Sequence, residues 1–526
     1  MKVLVSDQLG EIGIRMFEEQ EGIEVDVKTG LSPDELKEII GDYNGLVIRS
    51  ATKVTADLLQ SAQKLKVVGR AGIGLDNVDI PAATQQGVVV MNTPTGNVIT
   101  TAEHAISMMM SLTRNIPRGT SSLKAGRWDK KKLQGREVFN KTLGVIGFGK
   151  IGSIVADRAS GLKMRVIVHD PLVTPEQMEK VGFESVTLED LYRKSDYITI
   201  HVPKMKETMG FINKDAFNQM KDGVMIINCA RGGIIDEADL EEALKSGKVA
   251  GAALDVFETE PPGTCSLLEE ENVICTPHLG ASTREAQTNV AVAVAKQIID
   301  YLKNGTIVNA VNVPSVTGEL LTKMGPYLHL ADRIGGLMAQ LSKGAFKEIN
   351  IEYTGDFQGI DFTPVTTSLL KGLLTPSLKD DVNYVNAGVI AKDRGIKVSE
   401  TTSAESDEYL NLITLKAVTT EMESEIAGTI FGKKRSQIVR IDGFKLSMQP
   451  EGYFAYIRNF NKPGAFGSIT TVLGERGINI DRMNVGVSHE KATNIVFLST
   501  DTPIPDDIVA EVEALPLVDS IKLVEL

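Results

Sequence analysis

The sequence predicts an α/β protein centred on a Rossmann-type doubly wound parallel sheet domain. That domain is inserted in a smaller α/β domain and followed by an α+β region and a C-terminal βαββαβ ferredoxin-like unit. Three observations carry the prediction. Short apolar runs ending in Gly, Asp or Asn recur through the first half of the chain, with helix-like stretches between them. A glycine turn, GFGKIG at 147–152, stands between an apolar strand and a helix. Residues 451–526 order their elements as strand, helix, strand, strand, helix, strand.

Residues 1–95 form the first part of the smaller domain. Its strands are KVLVSD at 2–7, GLVIRS at 45–50, LKVVGRAG at 65–72 and VVVMNTP at 88–94. One long helix is expected from about Thr101 to Lys124, apolar at first and then basic. The Rossmann domain is placed at 96–284, with strand, glycine turn, helix and strand over 141–171 and further strands at 197–203, 223–233, 250–258 and 272–280. A helix from Thr283 to Lys303 and GTIVNAVNVP return the chain to the first domain over 285–310. Residues 311–450 mix helices with strands such as FKEINIEYTG and SQIVRIDGFKLSM, and 451–526 complete the chain.

Composition narrows the function. A net charge of −13 and a pI near 5.2 argue against nucleic acid as the main partner. No run of eighteen apolar residues predicts a membrane span. The start, MKVLVSD, reads as a strand rather than a signal peptide. Cys229, Cys265 and Cys275 cannot form a disulfide framework, and no Cys/His spacing suggests a metal. A cytoplasmic location is expected.

The glycine turn predicts a dinucleotide site. Gly147 allows the tight turn, Gly149 lets the backbone approach a pyrophosphate, and Gly152 lets the helix pack on the sheet. Lys150 and Ile151 open that helix, whose N-terminus favours phosphate. Asp170 ends the next strand, twenty-three residues after Gly147. A carboxylate there accepts from both ribose hydroxyls and repels a 2′-phosphate, which predicts NAD rather than NADP.

Three polar residues each follow an apolar strand: Arg231 after VMIINCA, Glu260 after ALDVF, and His278 after NVICTP. Parallel strands share one carboxyl edge, so these side chains can converge there. The set suits oxidation of a hydroxy acid. His278 is the candidate base, Glu260 orients and charges it, and Arg231 grips a carboxylate. The plainer reading of His278 is a packed histidine beside Pro277. Ala230, Arg231, Asp255, His201 and His278 join the candidate cofactor set. Asp255, inside an apolar strand, needs a partner: the nicotinamide or a backbone amide. His201 is either an edge of the dinucleotide site or a core residue.

Arg49-Ser50 and Arg70-Ala71-Gly72 end strands of the first domain, and Asn97 follows in PTGNVITTAEH. Strand-end arginines followed by small residues can form a second anion site, or simply surface ion pairs. The basic runs Lys130–Lys132 and Lys433-Lys434-Arg435 are solvated surface or raise local potential for an anion.

These segments resemble the D-isomer-specific 2-hydroxyacid dehydrogenases. The resemblance is carried by VIRSATKVT at 47–55, VGRAGIGLDNVD at 68–79, LGVIGFGKIG at 143–152, NCARGGIIDE at 228–237, GAALDVFETEPP at 251–262 and TPHLGAST at 276–283. It extends through VNAGVIAKDRGI at 385–396 and the terminal unit, as in the long, phosphoglycerate-oxidising form of the family. It implies NAD-dependent oxidation of 3-phospho-D-glycerate to 3-phosphooxypyruvate, the entry to serine synthesis, with a side activity on 2-oxoglutarate. It assigns Arg231, Glu260 and His278 to catalysis, and Arg49, Ser50 and Asn97 to the substrate cleft, beside Arg70 and Gly72. The lysines beside Trp128 resemble a region that reaches a neighbouring subunit in some members. The terminal unit is similar to ACT domains, which pair edge to edge and bind an amino acid, here serine. Asn461 and Asn479 match its effector positions, while Asn459 replaces the family's usual histidine. A homodimer or homotetramer is implied. The rivals are a related dehydrogenase of D-lactate, glycerate or 2-hydroxyglutarate, and a non-catalytic NAD-sensing scaffold.

Overall fold

The computed structural model describes residues 1–313, 318–355, 357, 361–379, 382–404, 408–432, 435–488, 491–500 and 502–526. Lys433 and Lys434 lie outside the described residues. Four sheets organise the chain.

The first sheet contains β1 (Lys2–Val5), β2 (Glu24–Val27), β3 (Gly45–Ile48), β4 (Val67–Arg70) and β5 (Val89–Asn92). All strands are parallel, in the order β2-β1-β3-β4-β5. Its central strands are buried on both faces, which explains their unbroken Val/Leu/Ile runs. The polar strand β2, EVDV, sits at the edge and gave no apolar signal. The helix Arg284–Asn304 closes one face: Val290, Val294 and Ile298 pack with Val3, Val47 and Val67. The chain thus comes back to its first sheet after building the second.

The second sheet contains β6 (Thr142–Ile146), β7 (Arg165–His169), β8 (Glu184–Ser185), β9 (Tyr197–Ile200), β10 (Val224–Asn228), β11 (Val249–Leu254) and β12 (Val273–Cys275). It is parallel throughout, ordered β12-β11-β10-β9-β6-β7-β8. Strand order reverses between β6 and β9, so the glycine turn after β6 lies at the topological switch point. The helix Val98–Thr113 packs Ala102, Ala105 and Met109 on this sheet.

The single helix expected over 101–124 is two, Val98–Thr113 and Ile116–Lys124. Asn115 between them adopts a left-handed φ of 53°. Pro117 then lacks the N–H and the clearance to continue the first helix, but fits the first turn of a new one.

The third sheet contains β13 (Phe346–Gly355), β14 (Lys397–Ser403), β15 (Asn411–Thr419), β16 (Glu423–Phe431), β17 (Arg435–Ile441) and β18 (Phe444–Met448), ordered β14-β13-β15-β16-β17-β18. The stretch SQIVRIDGFKLSM is two strands. Asp442 and Gly443 both take positive φ, the requirement of a tight hairpin turn. Helices Gly318–Leu341 and Thr363–Leu378 cover one face through Leu330, Ile334, Leu369 and Leu373.

The fourth sheet, β20-β21-β19-β22, contains β19 (Tyr453–Phe460), β20 (Ile480–Gly486), β21 (Thr493–Thr500) and β22 (Val518–Glu525). Two helices pack on Ala455, Ile457, Val496 and Leu498. The other face, with Phe454, Tyr456 and Phe497, shares one core with Phe444 and Met448 of the third sheet. Gln340 reinforces that joint by exchanging hydrogen bonds with the Glu525 backbone at 2.8 and 3.0 Å. The third unit also touches the first: Asn383 Nδ2 donates to the Gly87 carbonyl at 2.9 Å. Among the described residues no helix is long and apolar enough to cross a membrane.

Candidate active site

The carboxyl ends of the first two sheets face each other, and the predicted residues stand on the loops that leave them. His278 follows β12 and Glu260 follows β11. Nδ1 of His278 lies 2.7 Å from Oε2 of Glu260. A carboxylate only accepts, so Nδ1 carries the proton and Nε2 is left as an acceptor. The other oxygen of Glu260 accepts from the Phe257 amide at 3.2 Å, which fixes the carboxylate in the loop. Both side chains remain partly open to solvent.

Asp255 explains how the histidine loop is held. It is fully buried. Its oxygens accept from the amides of Leu279 at 2.7 Å and Gly280 at 2.8 Å, and from the Thr276 hydroxyl at 2.5 Å. Its own carbonyl accepts from the His278 amide at 3.0 Å. Burial alone would raise its pKa. The bonds from His104, Thr276 and Leu279 outweigh that and hold it below the usual carboxylate range. Of the two contacts expected of Asp255, the structure makes the backbone one. His104, 3.2 Å from Asp255, was not legible: it is one of several polar residues scattered along its helix, and its partner lies 151 positions away in the chain.

Arg231 follows β10. The buried Asn228 shapes its turn, donating to the Arg231 carbonyl at 2.9 Å and accepting from the Ala230 amide at 3.0 Å. A Cβ on Gly232 would overlap the Phe257 carbonyl, so only glycine lets the arginine and glutamate loops touch. The Arg231 guanidinium crosses to the first domain, where Nε donates to Asp76 at 3.0 Å. Asp76 lies in GLDNVD and carried no separate signal in the sequence.

Arg70 ends β4 beside this pair. Burial, then Arg231, push its guanidinium down to about 10, with Asp76 opposing, so it stays charged at neutral pH. Its buried Nε has no hydrogen-bond partner. Arg49 stands on the neighbouring loop, which Asp7 shapes by accepting from the amides of Arg49 at 2.6 Å and Ala51 at 3.2 Å. Asn77 ties that loop to the next through the Arg49 and Thr52 carbonyls. Ser50 is exposed. Asn97 begins the helix Val98–Thr113, with its buried Oδ1 unpartnered. Gly72 is backed by the Arg70 guanidinium, which a Cβ there would strike.

The glycine turn fits a dinucleotide. Gly147 has φ +92°, and a Cβ there would sit 2.7 Å from the His201 carbonyl. A Cβ on Gly152 would strike the Gly147 carbonyl, whereas nothing lies within 4 Å of that position on Gly149. Gly149 caps the helix Lys150–Gly161, so its open side and the free amides of Lys150 and Ile151 offer a phosphate cradle. Asp170 accepts from the Phe148 amide at 2.6 Å and the Leu172 amide at 2.8 Å, tying the end of β7 to the glycine loop. His201 meets the Thr199 hydroxyl at 2.9 Å, and burial depresses its pKa to about 4.

Asn461 and Asn479 do not converge within the chain. Asn461 follows the end of β19, whereas Asn479 precedes the start of β20, and both strands run antiparallel to β21. Tyr453 and Ile480 are both level with Thr500, so the two asparagines stand at opposite ends of the sheet. At ~3.4 Å per residue, the length of β19 separates them by roughly 25 Å. Asn459 is fully buried, its Oδ1 unpartnered. Lys130–Lys132 form a short turn on the surface, and Trp128 is 79% exposed.

Comparison with known proteins matches these regions. Residues 106–280 fit the family model of the D-isomer specific 2-hydroxyacid dehydrogenase NAD binding domain. Residues 323–442 fit the D-3-phosphoglycerate dehydrogenase intervening domain, and 455–517 the ACT domain. The chain is 43% identical to a D-3-phosphoglycerate dehydrogenase of Synechocystis over 97% of its length and 92% of the relative's. It is 42% identical to that of Bacillus subtilis over 100% and 99% of the two chains. Among solved structures, D-lactate dehydrogenase from Escherichia coli superposes with a TM-score of 0.53 at 31% identity, covering 59% of this chain and all of its own (100%). D-lactate dehydrogenase from Aquifex aeolicus, complexed with NAD and lactic acid, gives 0.54 at 27% identity, over 60% and 100%.

Proposed function

The chain belongs to the D-isomer-specific 2-hydroxyacid dehydrogenase family, in its D-3-phosphoglycerate dehydrogenase branch, and is an NAD-dependent dehydrogenase; from that premise we propose that it oxidises 3-phospho-D-glycerate to 3-phosphooxypyruvate. One observation carries the choice of substrate. Arg70 presents a buried guanidinium with an unpartnered Nε, beside Arg231 and Arg49. A lactate-like acid has one anionic group and needs one arginine. A phosphorylated hydroxy acid has an anion at each end, which such a cluster can hold.

In this reading Arg231 holds the substrate carboxylate, and Arg70, Arg49 and Ser50 hold the phosphate end, with Asn97 at the cleft wall. Nε2 of His278 takes the C2 hydroxyl proton, and Glu260 stabilises the imidazolium that forms. Gly147, Gly149, Lys150, Ile151, Gly152 and Asp170 would hold NAD, which supplies the hydride acceptor when bound. In the reverse direction His278 returns the proton to the carbonyl oxygen.

The test is a steady-state comparison of 3-phosphoglycerate, D-glycerate, D-lactate and 2-hydroxyglutarate with NAD, with 2-oxoglutarate tried in reverse. The reading requires kcat/KM to be highest for 3-phosphoglycerate and to fall most for that substrate in Arg70→Gln. Preference for an unphosphorylated acid would overturn it and favour a related hydroxyacid dehydrogenase.

The ACT domain points to a small-molecule effector and to assembly of more than one chain. We further propose serine as that effector, at a site between two copies. The opposite placement of Asn461 and Asn479 supports this, because one chain cannot bring both to one small ligand. Serine titrated into the same assay tests it: loss of activity is expected in the parent and not in Asn461→Ala.

A further inference from the structure

We propose that Asp76 is a positioning residue that holds Arg231 in the orientation needed to receive the substrate carboxylate. The inference rests on the reading of Arg231 as the carboxylate ligand.

The geometry is that of a slot built by the sequence Gly-Leu-Asp at 74–76. A Cβ on Gly74 would overlap Nη2 of Arg231 and lie 2.8 Å from Oδ2 of Asp76. Only glycine leaves the space in which the guanidinium rests. Asp76 closes the slot through its 3.0 Å bond to Nε. Nη1 donates to the Ala230 carbonyl at 2.6 Å, which braces the group from its own loop. Nη2 and the second hydrogen of Nη1 remain for a ligand.

The charge pattern gives a reason for an acid here. Arg231 and Arg49 both lie close enough to Arg70 to disfavour its charge. Two carboxylates oppose them. That of Asp7 is committed to the amides of Arg49, Ala51 and Thr52. Asp76 is thus the carboxylate that meets a guanidinium of the cluster directly. Without it Arg231 would be free to swing away from Arg70, since like charges repel and a long side chain gains rotamer freedom. The pair also crosses the cleft, with Asp76 on the loop after β4 and Arg231 on the loop after β10. The substrate's ligand is therefore fixed by the domain opposite to the one that carries it.

Asp76 competes with the substrate for Arg231 only if both need the same donors. It uses Nε, and the outer nitrogens stay available. The two possibilities predict opposite signs. A positioning residue lowers KM by its presence, and a competitor raises it.

The experiment compares parent, Asp76→Asn, Asp76→Glu and Arg231→Ala, measuring kcat and KM for the hydroxy acid, the Kd for NADH and Tm. Asp76 is half exposed, so Asp76→Asn is expected to fold with an unchanged Tm and NADH affinity. Its KM should rise about tenfold with a smaller change in kcat, the pattern of lost binding common to ground and transition states. Asp76→Glu should recover part of the loss. An unchanged or lower KM in Asp76→Asn, while Arg231→Ala raises KM strongly, overturns the proposal and leaves the role of Arg231 intact. An unchanged KM in Arg231→Ala overturns the reading beneath it.

Discussion

Nδ1 of His278 and Oε2 of Glu260 lie 2.7 Å apart although 18 positions separate them in the chain. That contact selects the histidine tautomer and leaves Nε2 as an acceptor, the nitrogen we propose takes the substrate proton. His278→Ala should abolish turnover while NADH binds nearly as in the parent, read by fluorescence titration. Glu260→Gln should lower kcat by about 10²-fold, the order of a lost acid–base contribution. It should also move the acid limb of the pH–rate profile downward, since the imidazolium loses its counter-charge. Normal turnover in His278→Ala would remove the acid–base mechanism.

Asp170, proposed to hold the cofactor, is tied to the glycine loop through the Phe148 amide. Asp170→Ala should raise the KM for NAD about tenfold and relax the preference against NADP. A variant that still strongly prefers NAD would place the selectivity in other residues.

Asp255 links chemistry to stability. Its pKa is depressed in the folded chain, with the pull of its hydrogen bonds exceeding the push of burial. Its stabilisation is therefore full above the ordinary carboxylate pKa and is lost as pH falls through the lower folded value. The Leu279 and Gly280 amides donate to different oxygens of Asp255, so Asp255→Asn turns its NH2 toward one of these two N–H groups. It should cost about 2–3 kcal/mol at neutral pH and shrink toward zero in acid. Denaturant melts of both proteins across that range check the convergence.

His201 acts in a neighbouring pH window. Its folded pKa is near 4 against an ordinary imidazole value of 6.5. Between those values the unfolded chain takes up a proton that the native imidazole refuses, so stability declines as pH falls from about 6.5 to about 4. The full difference is on the order of 3 kcal/mol. His201→Gln should flatten that slope, and identical slopes in the two proteins would exclude the histidine as its source.

Features with a backbone reason could be read in advance. Gly147 and Gly152 were legible because a strand, a tight turn and a helix demand them in that order. Arg231, Glu260 and His278 were legible because strands of one parallel sheet share an edge. Asp76, Asp7 and Asn228 were not, because their partners lie across a loop or a domain boundary and leave no period in the sequence. The expected helix over 101–124 failed at Asn115 and Pro117, where local geometry overrode the apolar pattern. The placement of Asn461 and Asn479 at opposite ends of their sheet was not legible either, because strand direction, not sequence distance, sets which loops meet.

The core shared by Phe444 and Met448 with Phe454 and Phe497 makes the last two sheets one cooperative unit. A chain cut near residue 450 would not simply shed an appendage. It would strip the cover from an apolar surface and invite aggregation. By the same linkage, any small molecule that binds the folded terminal sheet raises the melting point of the region before it. Calorimetry should therefore record one transition for the pair, and a ligand of either should move it whole.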